Sequence, residues 1–87
     1  MSNSCPPFQN FFRPLLELAS HQEVSVRQSA DDIADQMNLS TETRLEMTRG
    51  GNVQKYLDRT YWAASYLRQS GLIISPQRGR AIATEEG

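Results

Sequence analysis

Few side chains in this 87-residue sequence have types and spacings that could do chemistry. Asp31, Asp32 and Asp35 are close enough to suggest carboxylate ligands for a cation. A helix carrying them would instead show them as a hydrated acidic face, its first-turn acids favoured by the helix dipole, and that is the reading adopted. A metal-dependent phosphodiesterase needs carboxylates to hold the cation and a positive side chain near the scissile phosphate. The one lysine, Lys55, has no acid just before it, Val53 standing two residues upstream. Cys5 is the only cysteine and His21 the only histidine, so an internal disulfide and a zinc site of paired thiolates are excluded. With no nucleophile–base pair and no phosphate loop, the chain is expected not to be an enzyme and to use no metal or other cofactor. What remains is a set of amides and cations: Arg49, Asn52, Gln54, Lys55 and Arg59, then Arg68, Arg78 and Arg80. Asn and Gln amides match adenine edges, and Arg or Lys matches guanine edges and phosphates.

The distribution of charge supports this direction. The net charge is only −1, but it is uneven. Residues 1–48 carry three cations against seven anions, and residues 49–84 carry six cations against Asp58 alone. A basic C-terminal half is a hint of a polyanion partner. No apolar run is long enough to span a membrane, and the N-terminus lacks the basic and apolar regions of a secretory signal, so a cytoplasmic location is expected.

The elements that must position these residues can be read from periodicity and caps. Residues 1–7 read as a flexible tail and 8–87 as one domain. Helical spacing runs over 8–20, where Pro14 either falls in the first turn of a helix starting near Phe11 or bends a longer one. Ser25 and Gln28 fit a capping box, and the following helix carries Ala30, Ile33, Ala34 and Met37. Asn38 and Leu39 end it. Ser40 caps a short helix over 41–47, with Leu45 and Met47 expected to be buried. After the break at Gly50 and Gly51, the longest amphipathic stretch runs over about 53–70 and places Trp62, Tyr66 and Leu67 in the core. Gly71 suits the left-handed residue that ends it. Residues 72–74 and 80–84 read as a hairpin around a turn at 75–79, with Leu72, Ile74 and Ile82 facing the helices. Residues 24–26 could add a third short strand. Helices followed by one small hairpin make a mainly α, α+β fold: a winged helix-turn-helix of three to four helices and a β-hairpin wing.

The order Gly51, Asp58-Arg59, Trp62-Ala63, Tyr66-Leu67, Gly71-Leu72-Ile73, Pro76 and Arg78-Gly79 resembles the N-terminal domain of Mrr-type restriction endonucleases. The spacing matches without a gap. Phe8, Pro14-Leu15-Leu16, Ile33-Ala34 and Leu39-Ser40 extend the likeness upstream, so it covers about residues 8–87. Asp58 departs from the family's usual asparagine, and Tyr61 from a small residue. The resemblance implies a module that directs a type IV, methylation-directed nuclease to DNA. It implies as partners double-stranded DNA, methylated duplexes in particular, and a C-terminal nuclease domain in the parent chain; a homodimer is a further expected partner. The expected binding elements are a recognition helix over about 53–70, led by Asn52, Gln54, Lys55 and Arg59, and a wing over 75–80 with Arg78 and Arg80. Two other readings stand beside it: a winged-helix domain for protein interaction or dimerisation, and a stand-alone transcriptional regulator.

Overall fold

The computed structural model describes residues 5–84. Residues 1–4 of the expected tail lie outside the described residues, whereas residues 5–7 are not loose: Cys5 is buried at 6% exposure. A 3-10 turn at Phe8–Phe11 leads into α1, Phe12–His21. Pro14 is the third residue of α1, inside the first turn where its missing N–H has no intrahelical partner. The first of the two readings of this segment therefore holds. Phe11, Leu15 and Ala19 line the buried face.

Strand β1, Val24–Ser25, feeds directly into α2, Val26–Gln36. The Ser25 hydroxyl accepts from the Gln28 amide at 3.2 Å, which satisfies one of the free N–H groups of the first turn. The reciprocal half of the expected capping box does not form, because the Gln28 side chain donates to Asp32 instead. At the other end Asn38 takes φ 56°, Leu39 N–H donates to Ala34 O and Asn38 N–H to Asp35 O, the pattern of a Schellman ending with asparagine in the left-handed position.

Helix α3, Thr41–Leu45, is capped by Ser40 as expected but stops two residues early. Its buried residue is Thr43; Leu45 and Met47, expected inside, are 62% and 43% exposed. A five-residue helix has room for one inward position, and the chain leaves it extended at Glu46. Helix α4, Lys55–Gln69, buries Tyr56, Leu57, Thr60, Ala63, Ala64 and Leu67. It packs mainly on α2, which buries Ala30, Ile33 and Ala34 in the same core. Gly71, at φ 80°, ends α4 in a second Schellman pattern with Leu72 N–H donating to Leu67 O.

Strands β2, Ile73–Ile74, and β3, Arg80–Ala83, complete an antiparallel sheet in the order β1-β3-β2. Ile74 pairs with Ile82, and Val24 with Ala81. Leu72 packs partly buried against the core as expected, but the paired strands face otherwise: Ile73 and Ala81 are buried, and Ile74 is 52% exposed. A shift of one residue exchanges the two faces of a strand, and two-residue strands offer little alternation to fix the choice. The chain leaves the sheet tied to the end of α4, since Thr84 N–H donates to Leu72 O and its hydroxyl to Gly71 O. Four helices and a small three-stranded sheet in this order form a winged-helix-like α+β fold. Among the described residues no helix is long and apolar enough to cross a membrane.

Candidate nucleic-acid interface

The link between α3 and α4 is a small hairpin rather than a simple turn. Met47 and Gln54 form an antiparallel bridge, Thr48 N–H donates to Val53 O at 2.8 Å, and Lys55 N–H donates to Glu46 O at 2.8 Å. Gly51 closes the turn at φ 71°, a conformation that favours glycine. Arg49 and Asn52 are exposed on the tip of this hairpin, and Arg49 has no hydrogen-bonded or ionic partner among the described residues. Lys55 opens α4 at the positive end of the helix dipole. A cation there gains nothing from the dipole, so helix stability does not account for it. Gln54, expected to face a base, is the N-cap of α4, and its amide donates to Arg44 O at 2.9 Å. That bond joins the hairpin to α3, and Arg44 in turn pairs with Asp35 near the end of α2.

The wing is held at the opposite end of α2. Val26 N–H donates to Gly79 O at 2.9 Å, and Gly79 takes φ 75°. Arg78 at the tip is exposed and unpaired among the described residues. Arg80 pairs with Glu23 at 2.9 Å, and Arg68 donates to Ser75 at 3.3 Å. The structure thus gathers Arg49, Asn52, Gln54 and Lys55 at one end and Arg68, Arg78 and Arg80 at the other. The first group is tied through Arg44 to Asp35 near the end of α2, and the wing to Val26 at its start.

Arg59 belongs to neither group. Its Nη1 donates to the carbonyls of Cys5 and Pro6, the latter at 2.8 Å, and so ties the first described residues across the flank of α4. Glu46 accepts from the Cys5 N–H on the same segment. Burial pushes the Cys5 thiol above its ordinary value, and the neighbouring Arg59 guanidinium opposes that shift.

The acidic face of α2 is not simply hydrated. Asp31 accepts from the Tyr56 hydroxyl at 2.7 Å, Asp32 from Gln28, and Asp35 from Arg44. None of these aspartates lies in the first turn, so the dipole contributes little to them. Among the described residues no group of His, Cys, Asp and Glu is arranged to hold a metal ion.

The outward face of α4 also departs from expectation. Trp62 and Tyr66, expected in the core, are 54% and 47% exposed, and Tyr61 is 45% exposed. Tyr66 rests on Phe8 with ring centroids 5.1 Å apart, and Phe12 joins them. The inner face carries Tyr56, Leu57, Thr60, Ala63, Ala64 and Leu67, and the rings of Tyr61, Trp62 and Tyr66 fall on the outward side.

One cation was missed by sequence reasoning. Arg27, exposed in the first turn of α2, stands one residue from the bond that anchors the wing. A cation in a first turn opposes the dipole, and that mismatch beside Ser25 was the available signal.

A family model described as the Mrr N-terminal domain matches residues 8–87, nearly the whole chain. Comparison with curated proteins and with solved structures gave no match.

Proposed function

The chain belongs to the Mrr N-terminal domain family, and from that premise we propose that it is the DNA-targeting module of a Mrr-like restriction protein. The observation that carries this reading is the pair Arg49 and Lys55, both without an ion-pair partner, set with Asn52 where the hairpin enters α4. Arg27 and Arg78 add a second cationic edge beside the wing, where Val26 N–H is bonded to Gly79 O. Phosphate contacts from both edges position the module, and Asn52 is the residue best placed to meet a base edge. Arg59, Arg80 and Gln54 serve the fold first, since each is held by a protein partner.

Binding of duplex DNA, followed by fluorescence anisotropy over a range of salt, tests this. Four phosphate contacts give a slope of about −3.6 for log K against log salt. Arg49→Ala and Lys55→Ala should each reduce that slope by about one and weaken binding to all sequences alike. Absence of binding at low salt rejects the proposal. The family reading extends to methylated duplexes, and equal affinity for methylated and unmethylated forms of one oligonucleotide rejects that part alone. The protein-interaction reading is favoured by one separate observation, the exposed aromatic face of α4.

A further inference from the structure

We propose that the outward face of α4 is a self-association surface, on which two copies of this chain pack their α4 helices antiparallel about a two-fold axis near Ala63. The proposal does not rest on DNA binding. It starts from side chains that the fold leaves without work. The inner face of α4 is satisfied by α2 and α1, yet Tyr61 and Trp62 remain about half exposed on the opposite side. Buried cores of interfaces are enriched in these residue types.

The pattern on this face says what covers it. Asp58, Tyr61, Ser65 and Arg68 follow one another at steps of three, four and three, the spacing of a single seam on a helix that pairs with another helix. Ser65 at the middle is small enough for close approach, and helices that pack this way lie about 8–10 Å apart. An antiparallel partner in register at Ala63 sets Asp58 of one copy against Arg68 of the other and Tyr61 against Ser65, each pair occurring twice. The face is therefore complementary to itself, as a two-fold interface requires. Asp58 has no ion-pair partner among the described residues, and Arg68 makes only a 3.3 Å bond to Ser75. The two charges stand about 15 Å apart along the helix, so ion pairs close both ends of an aromatic centre. Trp62, beside Phe8 and Tyr66, widens that centre.

The arrangement leaves the hairpin tips outside the interface. Each α4 starts about 12 Å from the axis, so the two helix starts lie about 24 Å apart with Arg49 and Asn52 further out. Half-sites one turn of DNA apart, about 34 Å, are within reach of such a pair.

Sedimentation velocity without DNA tests the proposal, together with emission from Trp62, the only tryptophan. The wild-type chain should pass from monomer to dimer as concentration rises, and the emission should shift to the blue in step. Asp58→Arg and Arg68→Asp should each raise the dimer Kd by about a hundredfold, since each sets like charges together at both ends. An equimolar mixture of the two variants should form a one-to-one dimer, because every charge then meets its opposite. A wild-type chain that stays monomeric throughout its soluble range overturns the proposal. So does a single variant that dimerises like wild type, or a mixture that stays monomeric while both variants keep wild-type circular dichroism.

Discussion

The Tyr56 hydroxyl donates a 2.7 Å hydrogen bond to the Asp31 carboxylate, and this bond joins the first turn of α4 to the middle of α2. It fixes the relative placement of the two helices on which the helix-turn-helix depends. Tyr56→Phe removes the donor and keeps the ring. A bond to a charged acceptor contributes about 1.5–3 kcal/mol when buried, and Asp31 is half-buried, so a loss of about 1–2 kcal/mol is expected in urea unfolding. A variant as stable as wild type would show that the bond does not hold the helices together.

Alkaline pH should weaken the fold through two groups. Burial raises the Tyr56 phenol above 10.0, helped by its bond to the Asp31 carboxylate. Burial likewise raises the Cys5 thiol above 9.0. Both hold their protons more tightly folded than unfolded, so their contribution is intact below those unfolded values and declines as pH rises through the folded ones. Urea midpoints should therefore fall above about pH 9. Cys5→Ala should remove the earlier part of the fall and Tyr56→Phe the later part.

Arg59→Ala should release the residues it clamps. Loss of two charge-assisted bonds to carbonyls should cost about 2 kcal/mol and open Cys5 to thiol reagents. The reaction rate of Cys5 in native buffer is the direct measure. An unchanged rate would mean that burial of Cys5 does not depend on Arg59.

Ile73 and Ile74 should differ sharply although they are adjacent and identical. Ile73 is 1% exposed, so Ile73→Ala should cost about 2–4 kcal/mol. Ile74→Ala, at a half-exposed site, should cost less than about 1 kcal/mol. Equal losses would contradict the facing of the hairpin.

Element ends were the most legible part of the sequence because each depends on one or two neighbouring residues. Ser25 and Ser40 cap, and Gly71 terminates, as their chemistry requires. The third strand at Val24–Ser25 was also in reach, since it needed only a partner for the hairpin. Facing was harder. Trp62 and Tyr66 look like core by size, but α4 turns Tyr56, Leu57, Thr60, Ala63, Ala64 and Leu67 inward, and which face is inward is set by the elements packed on the helix rather than by the helix alone. Arg59, Gln54 and Arg80 look like free cations and amides until the backbone carbonyls and Glu23 that hold them are in place. Those partners lie 10 to 57 residues away in the chain, beyond any local pattern. Arg49 and Arg78 are exposed and unpaired among the described residues because turn tips have little beside them to compete for a guanidinium.

The two hydrogen bonds of Thr84 have a mechanical consequence. They rivet the exit of the chain to Gly71 and Leu72, where α4 ends, with no slack between them. The edge of the sheet and the end of α4 therefore cannot part at Thr84 unless both of these bonds break.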